Sequence, residues 1–178
     1  MKSGIALLLF AAAASGASIP AKVTRVSIVA AEESIDKRIG RINVEEPMYV
    51  LGPPRGIYLD GYGAVFTAEL NLVASAVVSP FRPAYTKDEV AKLKQKKLQR
   101  LAVLKLAMKD MLLSAAPLLE GMSPDEQVVV AVNLFYFSWE DSAGLPTQVI
   151  MQAPKKGLLH AAQAKSVAAD SVIRVQEY

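Results

Sequence analysis

From Lys87 onward the apolar residues Val90, Leu93, Leu101, Leu104, Met108, Met111, Leu112 and Ala115 share one stripe when projected with the helical period. The spacing predicts one long helix over about 86–116. Thr86 and Glu89 stand at capping-box spacing: the hydroxyl can accept from the third helical amide while the carboxylate reaches back. Pro117 and Gly121 locate its end. Two cations, Lys94 and Lys97, fall inside the stripe. Either the first turns of the helix overhang the sheet, or these lysines meet something acidic; Lys92 and Lys96 project to the solvated side.

A different period governs Ala64 to Val73. Ala64, Phe66, Ala68, Leu70 and Leu72 alternate with Val65, Thr67, Glu69, Asn71 and Val73, which predicts a strand with one core face and one wet face. Asp60-Gly61-Tyr62-Gly63 separates it from Ile57–Leu59, a tight hairpin in which Asp-Gly supplies the positive backbone angles. Met48–Leu51 reads as a short strand between breakers, since Pro47 and the Gly52-Pro53-Pro54-Arg55-Gly56 cluster flank it. Upstream, Val26, Val29, Ile35, Ile39 and Ile42 recur among charged residues and predict a helix within Val23 to Asn43. Ser79-Pro80-Phe81-Arg82-Pro83 is a stiff connector.

Beyond the long helix, Ser123-Pro124-Asp125-Glu126 carries a helix-start signal read as a single turn. Val128–Trp139 reads as a long strand, apolar on both faces and therefore central. Glu140–Pro146 is a loop, Thr147–Ala153 the hairpin partner, Lys155–Ala169 partly helical, and Val172–Tyr178 a last strand. The order of elements predicts an α+β single domain, an antiparallel sheet covered on one face by the long helix and an N-terminal helix.

The first 17 residues follow another logic. Lys2 is a positive n-region, Ile5–Ala14 an unbroken apolar run of ten residues, and Ser15-Gly16-Ala17 a small-residue cleavage site. That run is shorter than the roughly 20 residues that span a bilayer. The expectation is a cleaved signal peptide over 1–17, a mature domain over 18–178, and a periplasmic or extracellular location. No transmembrane span is expected after signal removal, because Leu98–Leu119 is interrupted by Arg100, Lys105, Lys109 and Asp110.

Removing 17 of 178 residues takes away Lys2 and lowers the formal charge from +3 to +2. So weak an excess says little about partners; no nucleic-acid partner is expected. With 52% hydrophobic residues the chain can bury a core. It has no cysteine, so disulfides, thiol nucleophiles and thiolate metal sites are excluded.

His160 is the single histidine, so a catalytic triad or multi-histidine metal centre would have to be built on it alone. No phosphate loop, dinucleotide fingerprint or metalloprotease pair is present. No metal or cofactor is expected. Asp60 and Glu69 are the carboxylates with a claim to acid/base work, which needs two such groups at a defined separation; more simply, Asp60 builds the turn and Glu69 decorates the wet face. Phe135, Tyr136, Phe137 and Trp139 read as packing, and Arg55 as a loop cation. The basic helix offers Lys94, Lys97 and Arg100 as partner-binding residues, set against a merely solvated face.

Gly56-Ile57-Tyr58-Leu59-Asp60-Gly61-Tyr62-Gly63-Ala64-Val65-Phe66, with Trp139-Glu140-Asp141 and Gly144-Leu145-Pro146, resembles patches of uncharacterised exported bacterial proteins. The resemblance covers about a sixth of the chain; it implies an envelope protein and carries over no catalytic residue. Two functions follow as expectations. One is an exported, non-catalytic module binding an envelope component or protein partner. The other is a metal-independent hydrolase using Asp60 and Glu69.

Overall fold

Thr24 caps the first helix, α1 (Arg25–Ile39), by accepting from the Ser27 amide at 3.3 Å. A computed structural model describes residues 22–42, 45–74, 85–164 and 171–178. The expected signal peptide and the Ser79–Pro83 connector lie outside these residues. In α1, Ile28, Ala31, Ile35 and Ile39 recur at three- and four-residue intervals and are buried against the sheet.

The next element departs from expectation. One continuous strand, β1 (Tyr49–Leu59), runs through Pro53 and Pro54, where the sequence predicts a break. It survives because β1 is an edge of the sheet, where a missing amide is tolerated. The cost appears as two register irregularities, between Val50 and Gly52 and between Gly52 and Arg55. The outer edge is also closed at Gly56: its N–H donates to Glu32 Oε1 at 2.7 Å, and its carbonyl accepts from Arg25 Nη1 at 3.1 Å. Those charged groups discourage strand addition there.

Gly61, at φ +76°, turns the chain into β2 (Gly63–Asn71). Gly63 has φ +134°, and a side chain there would collide with the Gln127 backbone. β2 alternates as its sequence predicts, with Ala64, Phe66, Ala68 and Leu70 in the core. Its far end does not: Asn71 and Val73, assigned to the wet face, are buried, and Asn71 Oδ1 accepts from the Val73 amide at 3.2 Å.

Helix α2 (Lys87–Ala115) has the predicted extent and the complete capping box, Glu89 Oε2 accepting from the Thr86 amide at 2.7 Å. Pro117 sits in the 3-10 turn Ala116–Leu118 that ends it. Strand β3 (Gln127–Leu134) follows, then β4 (Gln148–Pro154), α3 (Lys155–Gln163) and β5 (Arg174–Glu177). The sheet order is β1-β2-β3-β4-β5. Three pairings are antiparallel; the fourth, β2 with β3, is parallel, because α2 returns the chain to the end of the sheet where β2 began. The sheet is therefore mixed rather than wholly antiparallel.

As predicted, β3 is central, and Val128–Val132 are buried throughout. It stops at Leu134, well short of Trp139. The Phe135 amide makes a last bond to the Leu70 carbonyl at 2.9 Å, and β2 ends one residue later, so further extension has no partner on that side.

All three helices contribute to one core on one face of the sheet. Leu104, Met108, Met111, Leu112 and Ala115 of α2 are fully buried there with Phe66, Leu70, Val130 and Met151. The molecule is thus an α+β domain with helices on one side. Among the described residues no helix is long and apolar enough to cross a membrane.

Candidate functional site

The apolar stripe of α2 turns cationic toward its N-terminus, and there the chain supplies its own acids. Lys97 donates to Glu140 Oε2 in an ion pair whose side chains are 1% and 3% exposed. Its ammonium lies 4.8 Å from the centre of the Tyr136 ring. Burial pushes the Lys97 ammonium below the ordinary lysine range, and Glu140 opposes that shift. Tyr136 donates to the Pro146 carbonyl at 2.7 Å, and burial, then the charge of Glu140, raises its phenol to about 12.

The neighbouring cations are engaged in the same way. Lys94 pairs with Asp141 at 2.8 Å; this bond first, then the Ala143 amide, holds the Asp141 carboxyl below its usual range. Arg100 donates to the Leu72 carbonyl at 2.8 Å and to Glu46 Oε2 at 2.9 Å, joining the exit of β2 to the entry of β1. Lys96, which projects to the solvated side, also pairs with Glu46 at 2.8 Å, and that contact is the main cause of the lowered Glu46 pKa. The predicted contact residues Lys94, Lys97 and Arg100 thus sit together, and Lys97 and Arg100 are buried. A partner would reach those two only by displacing Glu140 and Glu46.

The aromatic cluster backs this clasp. Trp139 stacks on Tyr85 with centroids 4.1 Å apart and on Phe137 at 5.8 Å, and Phe135 meets Phe137 edge-on at 5.0 Å. The cluster holds the loop between β3 and β4 against the start of α2. Its one unsatisfied group among the described residues is the buried Trp139 indole N–H.

Asp60 and Glu69 are not brought together. Asp60 lies in the β1–β2 turn, whereas Glu69 lies six residues past Gly63 on β2, roughly 20 Å along the strand. Paired glycosidase carboxyls stand within about 10 Å. Asp60 instead shares a cleft of about 610 Å³ with Tyr58 and Glu126. There Glu126 accepts from Tyr58 at 2.9 Å and from the Gly61 and Ser123 amides, so its oxygens are occupied in fixing the hairpin. That bond is the main reason the Tyr58 phenol is raised to about 12. His160 is exposed on α3. Among the described residues no cluster of three or more acidic or histidine side chains is placed to hold a metal ion.

Where the C-terminal end of α1 meets the middle of α2, a groove of about 290 Å³ is lined by Arg38, Arg41, Ile42, Val103, Leu106, Ala107 and Asp110. Leu106 is 63% and Val103 44% exposed. Arg38 reaches Asp110 only at 3.8 Å, and the Arg41 side chain has no partner among the described residues. The available signal was that Val103 and Leu106 are apolar yet off the buried stripe.

Compared with protein-family models, with curated proteins and with solved structures, the chain matches none.

Proposed function

We propose that this protein is an exported, non-catalytic module that binds a protein partner of the cell envelope through its helical face. The observation that supports this reading is the groove between α1 and α2. Exposed Val103 and Leu106 offer apolar area, and Arg38 and Arg41 offer charge at its rim. An apolar floor beside cations suits an acidic segment with a hydrophobic side, the usual division between a buried anchor and a polar rim. The separation of Asp60 from Glu69 gives the hydrolase reading no comparable support.

A photo-crosslinking residue at Leu106, introduced into the protein expressed in its own cells, tests the proposal. The expected result is a discrete adduct with an exported protein, absent when the same group replaces exposed Gln163 on α3, and lost in an Arg38→Glu, Arg41→Glu background. Equal labelling at both positions would reject the groove as a binding site. N-terminal sequencing of the purified protein checks export: a start at or near Ser18 is expected, and intact Met1 in the cytoplasm rejects it.

A further inference from the structure

The face of the sheet opposite the helices carries a second, independent surface. Along β1 every odd residue is exposed, and most are apolar: Tyr49 is 59%, Leu51 42%, Ile57 57% and Leu59 47% exposed. No described helix packs on that face. Exposed apolar residues on an edge strand, here to either side of Arg55, invite association unless something covers them. Pairing along the edge itself is obstructed in the middle of β1, where Pro54 lacks an amide and Gly56 is closed by Glu32 and Arg25. The face, not the edge, is available.

We propose that two copies of this chain pack sheet against sheet through this face. Two observations select a second copy. First, the charges are self-complementary. Arg55 pairs in register with Thr67, and Glu69 projects from the same face two residues further along β2. Neither side chain has a charged partner among the described residues. A two-fold axis crossing the strands between the Thr67 and Glu69 rows sets Arg55 of each copy against Glu69 of the other, as an isologous contact requires. Second, the same axis lays Ile57 of one copy over Tyr49 and Leu51 of the other, so these three exposed residues cover one another.

The contact is centred on β1 and β2, since Val129 and Ala131 of β3, which share that face with Val65 and Thr67, are already buried. Sheets packed in this way stand about 10 Å apart with interdigitated side chains. The helical groove then faces outward on both copies, and the dimer is bivalent for whatever it holds.

Sedimentation velocity on the purified full-length exported protein, run across micromolar concentrations, decides the matter. The expected result is a monomer–dimer equilibrium favouring dimer. Arg55→Glu and Glu69→Arg should each weaken it by roughly ten-fold or more, since each places like charges in contact twice per dimer. The double variant, with both charges exchanged, should recover most of the loss. Because Arg55 and Glu69 are also diagonal neighbours within one chain, unchanged thermal melts of the single variants are required alongside the recovery to assign it to the contact between copies. A monomer at every concentration, or a double variant as weak as either single one, overturns the proposal. So does a monomer whose sheet face captures a different protein. None of these outcomes bears on the Leu106 crosslink, so the two proposals fail separately.

Discussion

The two halves of α2 share one stripe and bury it by opposite chemistry. From Leu104 to Ala115 the stripe is apolar and closes on the core with residues that are fully buried. From Lys94 to Arg100 it is cationic, and each cation is met by a carboxylate from another part of the chain: Asp141, Glu140 and Glu46. The helical period decides which positions face inward; it does not decide what they must be. An inward lysine is tolerated where a carboxylate reaches it, so the apolar half draws stability from burial itself and the charged half depends on a partner fixed by the fold.

The largest expected effect tests that dependence. Glu140→Leu leaves the Lys97 ammonium buried without its acid and should cost roughly 3–5 kcal/mol in chemical denaturation. Adding Lys97→Met to the same protein should restore most of that loss, because an apolar pair needs no partner. Equal stability of the Glu140→Leu protein and its parent would break the comparison. The pH dependence gives an independent check. The folded Lys97 pKa lies below 10.5, so between the two values the unfolded chain binds more protons than the folded one. Its contribution to stability therefore rises with pH through that window, and removing Glu140, which holds the ammonium charged, should widen it.

In the apolar half, Leu104→Ala should cost on the order of 2–5 kcal/mol, with an unchanged denaturant slope, because it opens a cavity beneath a fully buried side chain. No second substitution elsewhere in the charge clasp should rescue it. A smaller loss, about 1 kcal/mol, is expected for Thr86→Ala, which removes the capping hydroxyl at the exposed start of the charged half. Thermal melts monitored by circular dichroism would detect it.

The smallest effect belongs to Lys94→Gln, since Asp141 is largely solvated. Its sign is nonetheless fixed. The Asp141 pKa is lowered in the folded state, so the contribution of the pair is fully present above about 3.8 and is lost as pH falls through the folded value. Variant and parent should differ slightly at neutral pH and low salt and converge in strong acid and in high salt. A difference that persists unchanged in acid would mean that Lys94 acts through packing.

The sequence by itself determined what depends on neighbours a few residues away. The span and capping of α2, the Asp-Gly turn, the alternation of β2 and the grouping of Lys94, Lys97 and Arg100 were all legible, because helical and strand periods and caps are local quantities. The tertiary structure decided the rest. Pro53 and Pro54 stay within a strand because β1 has an empty side; β3 ends at Leu134 because β2 ends beside it; β2 and β3 are parallel because of where α2 sets the chain down. The acids that answer the three cations lie 47, 43 and 54 residues away. No local pattern ties residues so distant, and the grooves and faces that a partner would meet exist only once the fold has brought them together.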